Sequence, residues 1–124
     1  MPDVTKVLVV DDEPHILRSL GFVLRRAGLE VVEARSGGEA LELVRRERPH
    51  LVFLDIMMPE LDGYEVCRQI KACEELASTY VILLTAKGEE ADRRRGVEAG
   101  ADDYMTKPFS PSRAVDRVKA ALDL

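Results

Sequence analysis

The stretch Lys6-Val-Leu-Val-Val-Asp-Asp12 decides the fold class of this 124-residue chain. Its apolar run shows no alternation of polar and apolar residues, which is typical of a strand buried on both faces of a parallel sheet. Two carboxylates, Asp11 and Asp12, follow the run directly. Apolar residues then recur with helical spacing as far as Gly28, a residue type that commonly ends helices. The segment therefore predicts a buried strand with an acidic end, followed by a helix.

The alternation of strand and helix repeats four more times along the chain. Further strands are predicted at residues 30–34, 51–54, 81–84 and 102–105, and further helices at 36–48, 64–73, 88–99 and 111–122. Strands one, three and four are the most apolar, which favours a central position for them. We therefore predict an α/β fold: a flavodoxin-like, doubly wound, five-stranded parallel sheet in the order 2-1-3-4-5.

Two of the predicted helices carry a more specific expectation. The second helix begins with Ser36 and Glu39 at the spacing of a capping box. The fourth helix has Ala91 and Val97 as almost its only apolar contributions to a core. We expect this fourth helix to be loosely attached.

Composition bounds the classes of function. A net charge of −5, from 18 basic and 23 acidic side chains, disfavours direct binding to nucleic acid. The longest apolar runs have four or five residues, whereas a membrane helix needs about 20, and no signal peptide is recognisable. We expect one domain over residues 1–124, soluble and cytoplasmic, without a membrane partner.

Two local clusters of residues have simple explanations. The basic run from Arg93 to Arg95 lies among acidic residues, so a solvated helix face explains it better than a nucleic-acid patch. Cys67 and Cys73 are six residues apart in one predicted helix, which excludes a disulfide between them.

Polar side chains interrupt the pattern where predicted strands end. Asp11 and Asp12 follow strand one, Asp55 follows strand three, Thr85 follows strand four and Lys107 follows strand five. Each has a structural explanation when it is considered alone, as a helix cap, a turn residue or a solvated charge. In a parallel sheet, however, all five lie at the same edge, where such folds bind ligands.

The chemistry of this set indicates a metal and phosphoryl transfer. Clustered carboxylates raise one another's pKa unless a cation is present, and oxygen ligands without His or Cys suggest Mg²⁺ or Mn²⁺. A carboxylate can act as the nucleophile, while an ammonium and a hydroxyl stabilise the phosphoryl oxygens.

Four segments in register resemble the receiver domain of two-component response regulators. They are Val7-Leu-Val-Val-Asp-Asp-Glu-Pro14, Leu54-Asp-Ile-Met-Met-Pro59 with Asp62-Gly63, Thr85-Ala86, and Gly100-Ala-Asp-Asp-Tyr-Met-Thr-Lys-Pro-Phe109. The resemblance covers essentially the whole chain. It implies a phosphorylation-controlled signalling switch, which accepts a phosphoryl group from a sensor histidine kinase and controls an output partner or domain that the sequence does not identify.

The resemblance also assigns an acceptor and a metal site. It implies that Asp55 receives the phosphoryl group, and that Asp12 and Asp55 ligate Mg²⁺ directly together with the backbone carbonyl of Met57. Asp11 acts largely through water. Met57 and Lys87 occupy the positions that flank the phosphoryl group and tune its hydrolysis.

The remaining roles concern the switch. Lys107 is expected to pair with Asp55 or the phosphoryl group, and its peptide bond to Pro108 is expected to be cis. Thr85 is expected to donate a hydrogen bond to a phosphoryl oxygen, and Tyr104 to move inward behind it. The resemblance implies that the fourth helix, fifth strand and fifth helix form the output surface.

Two other functions stay open at this point. One is an aspartyl-nucleophile phosphatase for small molecules, although such enzymes carry a second Asp two residues after the nucleophile, where this chain has Met57. The other is a receiver that is part of a longer DNA-binding regulator. We expect a switch rather than an enzyme. Glu13 is interpreted as a first-turn acid favoured by the helix dipole.

The expected oligomeric state is a monomer or a weak dimer. In the winged-helix branch of the family, active receivers pair through ion pairs across the output surface. Arg93 provides a basic partner here, but Arg113 occupies the position of the answering Glu, whereas Asp103 and Arg117 still match. Repulsion between the two arginines is expected to weaken that dimer.

Overall fold

The computed structural model describes residues 4–86 and 90–124, without the side chains of residues 90–92. The strands are β1 Lys6–Val10, β2 Glu30–Ala34, β3 Leu51–Asp55, β4 Tyr80–Thr85 and β5 Asp103–Thr106. The helices are α1 Pro14–Arg26, α2 Gly37–Glu47, α3 Gly63–Ala72, α4 Glu90–Glu98 and α5 Pro111–Leu122. All strand pairs are parallel, in the order β2-β1-β3-β4-β5. The predicted fold class and strand order are confirmed.

The alternation of side chains along the strands divides the core into two clusters. Side chains of β3 alternate between the faces, with Val52 and Leu54 in one cluster and Leu51 and Phe53 in the other. The first cluster is completed mainly by α2 and α3, and the second by α1 and α5. Because both faces are covered, the interiors of the central strands are apolar, and polar residues stand only at their ends, as the sequence predicted.

The ends of the first two helices follow from local chemistry. Gly28 lies just beyond α1 with a φ of 91°, a conformation that glycine adopts without strain. At α2, the hydroxyl of Ser36 accepts a hydrogen bond of 3.1 Å from the N–H of Glu39. The Glu39 carboxylate accepts from the N–H of Arg35 rather than from that of Ser36, one residue earlier than in a standard capping box.

The attachment of α4 differs from the sequence prediction. Val97 was expected to contribute to the core, yet its side chain is 71% exposed, and Gly96 is buried instead. A Cβ atom at Gly96 would lie 3.1 Å from Leu83 Cδ1, so the helix approaches β4 too closely for a branched side chain there. Ala91 belongs to the residues whose side chains are not described.

Two further observations concern the cysteines and the length of the helices. Both cysteines, the buried Cys67 and the half-buried Cys73, are free thiols. None of the helices within residues 4–86 and 90–124 has the length and apolar character required to cross a membrane.

Gly63 is a position where the packing around β3 can be tested. A Cβ atom there would lie 2.4 Å from the backbone oxygen of Asp55 and 2.7 Å from Cα of Ile56, both in the main chain. Gly63→Ala should therefore lower the free energy of unfolding by about 1–3 kcal/mol, measured by urea denaturation. Gly38→Ala is the control, because no atom lies within 4 Å of its added Cβ. It should raise stability by about 0.5–1 kcal/mol, and equal effects in both variants would contradict the close approach.

Candidate functional site

The strand ends bring three carboxylates together. Asp11 follows β1 and has no exposed surface, Asp55 ends β3 and is 3% exposed, and Asp12 is exposed. One oxygen from each of the three lies within 4.8 Å of the others. This geometry lets all three oxygens contact one divalent cation, and the absence of His or Cys from this cluster suits a hard ion.

A lysine that follows the edge strand β5 enters the same cluster. The Lys107 ammonium lies 2.8 Å from Asp11 Oδ2, 3.6 Å from Asp55 Oδ1 and 3.7 Å from Glu13 Oε1. The peptide bond between Lys107 and Pro108 is cis. One ammonium therefore faces several carboxylates, and the cluster keeps an excess of negative charge.

Backbone donors fix the two buried carboxylates. The N–H of Met57 donates to Asp55 Oδ1 at 3.1 Å, and the N–H of Glu13 donates to Asp11 Oδ1 at 3.0 Å. Both are bonds to the residue two positions further on, the pattern by which Asp side chains stabilise turns. The loops after β1 and β3 are thereby held against the cluster. The Met57 side chain itself is 69% exposed beside it.

Thr85 and Tyr104 lie close together on the neighbouring strands β4 and β5. Thr85 ends β4, and its buried hydroxyl has no hydrogen-bond partner among the described residues. A cavity of about 220 Å³ is lined by Thr85, Tyr104 and residues of α4 and its following loop. Tyr104 is half-buried, with the Arg93 guanidinium carbon 5.5 Å from its ring centroid. Lys87, expected to flank the site, lies outside the described residues.

Glu13 is the residue whose place sequence reasoning missed. It is the N-cap residue of α1 rather than a member of its first turn, and its side chain makes no capping hydrogen bond. Its two carboxylate oxygens face Lys107 and, at 3.1 Å, the imidazole of His15. The only signal in the sequence was its position directly after the acidic pair.

The comparison with protein families shows to which family the chain belongs. Residues 7–119 match the family model for the response regulator receiver domain. The chain belongs to this family. Receiver domains are the phosphorylation-controlled switches of two-component signalling, and a small-molecule phosphatase is not favoured.

Individual relatives agree with the family match. The chain is 50% identical over 117 residues to the alkaline phosphatase synthesis transcriptional regulatory protein PhoP of Bacillus subtilis, covering 94% of this chain and 48% of that protein. It is 52% identical over 118 residues to the transcriptional regulatory protein ResD of the same organism, covering 95% and 48%. The chain thus spans about half the length of these relatives.

A solved structure shows the same fold. The response regulator DrrB, a Thermotoga maritima OmpR/PhoB homolog, superposes with a TM-score of 0.89 at 40% identity. The superposition covers 98% of this chain and 54% of that one.

Burial and charge shift the pKa values of Asp55 and Lys107 at this site. Burial raises the pKa of Asp55 to about 6; the Met57 N–H and the Lys107 charge oppose the rise, and the charges of Asp11 and Asp12 add to it. Burial lowers the pKa of Lys107, but its contact with Asp11 and the charges of the surrounding carboxylates outweigh this, so the net shift is upward. Without a cation, ionising Asp55 therefore costs free energy.

This cost predicts how the metal-free receiver responds to pH. Between pH 3.8 and about 6 the folded protein retains the Asp55 proton that the unfolded chain loses, so Asp55 lowers stability as the pH rises through that window. At pH 7.5 in EDTA, Asp55→Asn should raise the free energy of unfolding by about 1–3 kcal/mol, measured by urea denaturation. Asp116→Asn removes the same charge from an exposed position on α5 and should change it by less than about 0.5 kcal/mol. Equal effects in the two variants would show that Asp55 is not destabilised.

Proposed function

We propose that Asp55 is the residue at which this receiver domain is phosphorylated. The observation that supports it most directly is the position of its carboxylate: buried, 3.6 Å from the Lys107 ammonium and within 4.8 Å of the oxygens of Asp11 and Asp12. Asp11 is a poorer candidate because it has no exposed surface and its Oδ2 is already paired with Lys107. Asp12 is exposed and lacks this contact with the lysine among the described residues.

The phosphoryl donor is proposed to be a phosphohistidine of a sensor histidine kinase. In the transfer, the P–N bond of the donor breaks and a P–O bond forms with a carboxylate oxygen of Asp55, so the imidazole leaves. The Met57 N–H holds Oδ1 in place, and the Lys107 ammonium lies where it can balance negative charge on the phosphoryl oxygens. The unpartnered Thr85 hydroxyl can donate to one of them.

Asp11, Asp12 and Asp55, with the backbone carbonyl of Met57, are proposed to hold Mg²⁺, or Mn²⁺ in its place. The bound ion supplies positive charge that neutralises the carboxylates and the incoming phosphoryl group. Three carboxylate oxygens within 4.8 Å, with the ammonium of Lys107 as the one paired to them among the described residues, support this assignment. Met57 and Lys87 are proposed to modulate the lifetime of the phosphoryl group, and the exposed Met57 side chain supports access for that role.

The output of the switch is proposed to pass through α4, β5 and α5, with Tyr104 moving toward Thr85. The cavity that these two residues line supports such a movement. The proposed receiver unit is residues 1–124, a non-catalytic cytoplasmic switch, monomeric or weakly dimeric, without direct contact to nucleic acid or membrane. Because PhoP and ResD are named transcriptional regulatory proteins, a DNA-binding domain in the same polypeptide is the proposed output.

Labelling with acetyl phosphate in Mg²⁺ tests the acceptor. Asp55→Asn should abolish incorporation, because an amide oxygen cannot form the acyl phosphate. Asp116→Asn is the matched control and should be labelled like the unsubstituted protein. Phosphoryl incorporation can be followed by intact mass, and full labelling of Asp55→Asn would refute the assignment.

Thermal unfolding tests the metal site. A ligand that binds only the native state stabilises it by about 1.4 kcal/mol at roughly ten times its Kd, so Mg²⁺ should raise the Tm by about 3–7 °C. Asp12→Asn should reduce this increase, whereas Asp116→Asn should retain it. A Tm that millimolar Mg²⁺ leaves unchanged would count against the cluster as a cation site.

A further inference from the structure

The described side chains of helix α4, those of residues 93–98, do not form the apolar face that normally attaches a helix to a core. Gly96 is its buried residue among those whose side chains are described, and it approaches Leu83 of β4 closely. The exposed ones are Arg93, Arg94, Arg95, Val97 and Glu98. Most helices in proteins are stabilised by packing of an amphipathic face. The contacts of its polar side chains are therefore of interest for how α4 is attached.

Two arginines of α4 contact aromatic rings on different neighbours. The guanidinium carbon of Arg95 lies 4.2 Å from the ring centroid of Tyr64 on α3, and that of Arg93 lies 5.5 Å from the ring centroid of Tyr104 on β5. A helix turns about 100° per residue, so these two side chains leave α4 on either side of the inward-facing Gly96. Arg94, between them, points away from the sheet.

Both contacts lead to parts of the proposed switch. Tyr64 is 3% exposed and lies in the first turn of α3, directly after the loop that follows Asp55. Arg95 is also 3.9 Å from the carboxylate of Asp62, whose other oxygen caps α3 by accepting from the N–H of Glu65. Tyr104 lines the cavity beside Thr85. One arginine thus ties α4 to the acceptor loop, and the other ties it to the aromatic residue expected to move.

We propose that Arg93 and Arg95 are positioning residues that clamp α4 onto Tyr104 and Tyr64, and thereby control how readily the surface of α4, β5 and α5 rearranges on phosphorylation. The link to phosphorylation rests on the proposed function. Contacts between exposed arginines and rings are weak individually, so the clamp can open without unfolding the core. Its loss raises the population of the rearranged surface.

The clamp also gives a role to the basic run from Arg93 to Arg95, for which the sequence alone favours a solvated helix face. Only Arg94 fits that description fully, because the guanidinium groups of Arg93 and Arg95 already lie against rings. The run is therefore two positioning residues separated by a solvated one.

Amide hydrogen exchange of residues 93–100, followed by mass spectrometry without Mg²⁺, tests the clamp directly. The double variant Arg93→Ala/Arg95→Ala should exchange about tenfold faster in this segment, the effect of losing two such contacts. Arg94→Ala/Arg45→Ala is the control, because it removes the same charge from exposed positions on α4 and α2. Exchange in the double variant that matches this control would overturn the proposal.

Phosphorylation kinetics separate control of the switch from simple support of the helix. If the rearranged surface is the state that accepts the phosphoryl group, labelling by acetyl phosphate in Mg²⁺ should be about threefold to tenfold faster in the double variant and unchanged in the control. Arg95→Lys keeps the charge but loses the planar stacking of guanidinium on the ring, so it should give an intermediate rate. Faster exchange with an unchanged labelling rate would refute the positioning role. Failure to label the unsubstituted protein would instead refute the proposed function, and the exchange data would still decide whether the clamp exists.

Discussion

The excess of negative charge at the carboxyl edge of the sheet is the constraint on which the rest of the site depends. Asp11, Asp12 and Asp55 bring three carboxylates within reach of one point, and Lys107 supplies one ammonium. Lys107 follows the edge strand β5, and its backbone N–H donates to Thr85 at the end of β4, so its long side chain crosses the strand ends to reach Asp55 and Asp11. The raised pKa of Asp55 follows from the same crowding and burial. A site built in this way favours binding of a cation or a proton, because either one reduces the repulsion among the ionised carboxylates.

The fold was predictable because its strongest signals are local. Each central strand is an apolar run, and each run ends in the polar residue that now lies at the site, as Leu51–Asp55 shows. Parallel pairing then places Asp55 beside Leu84, so Thr85 falls one residue beyond on the adjacent strand. The prediction of the strand order had two grounds. The apolarity of three strands favoured a central position for them, and the receiver family that the sequence resembles has this order. Strand β5 lies one residue later than predicted, at Asp103–Thr106.

The predictions that proved wrong concern contacts between residues that are far apart in the sequence, which a local pattern does not record. Periodicity assigned Val97 to the core, but Val97 is 71% exposed and the buried residue is Gly96, where an added Cβ would lie 3.1 Å from Leu83 Cδ1. Glu13 was assigned to the helix dipole, and its contact with Lys107 depends on a residue more than 90 positions away. The two ring contacts of the arginine run were likewise invisible, because they join α4 to α3 and β5 rather than to its own sequence neighbours.

The polar attachment of α4 has a consequence for signalling. A phosphoryl group can shift the position of this helix only by the difference in free energy between its contacts in the two arrangements. Hydrogen bonds to charged groups contribute about 1.5–3 kcal/mol each, whereas one fully buried leucine contributes about 1.5–3 kcal/mol and a helix normally buries several. A conventionally packed α4 would therefore resist the few contacts that a phosphoryl group can make. Two ring contacts of about 0.5–1 kcal/mol each contribute less than the hydrogen bonds that a phosphoryl group can make. Phosphorylation of Asp55 alone can therefore shift an α4 that is attached through Gly96, Arg93 and Arg95.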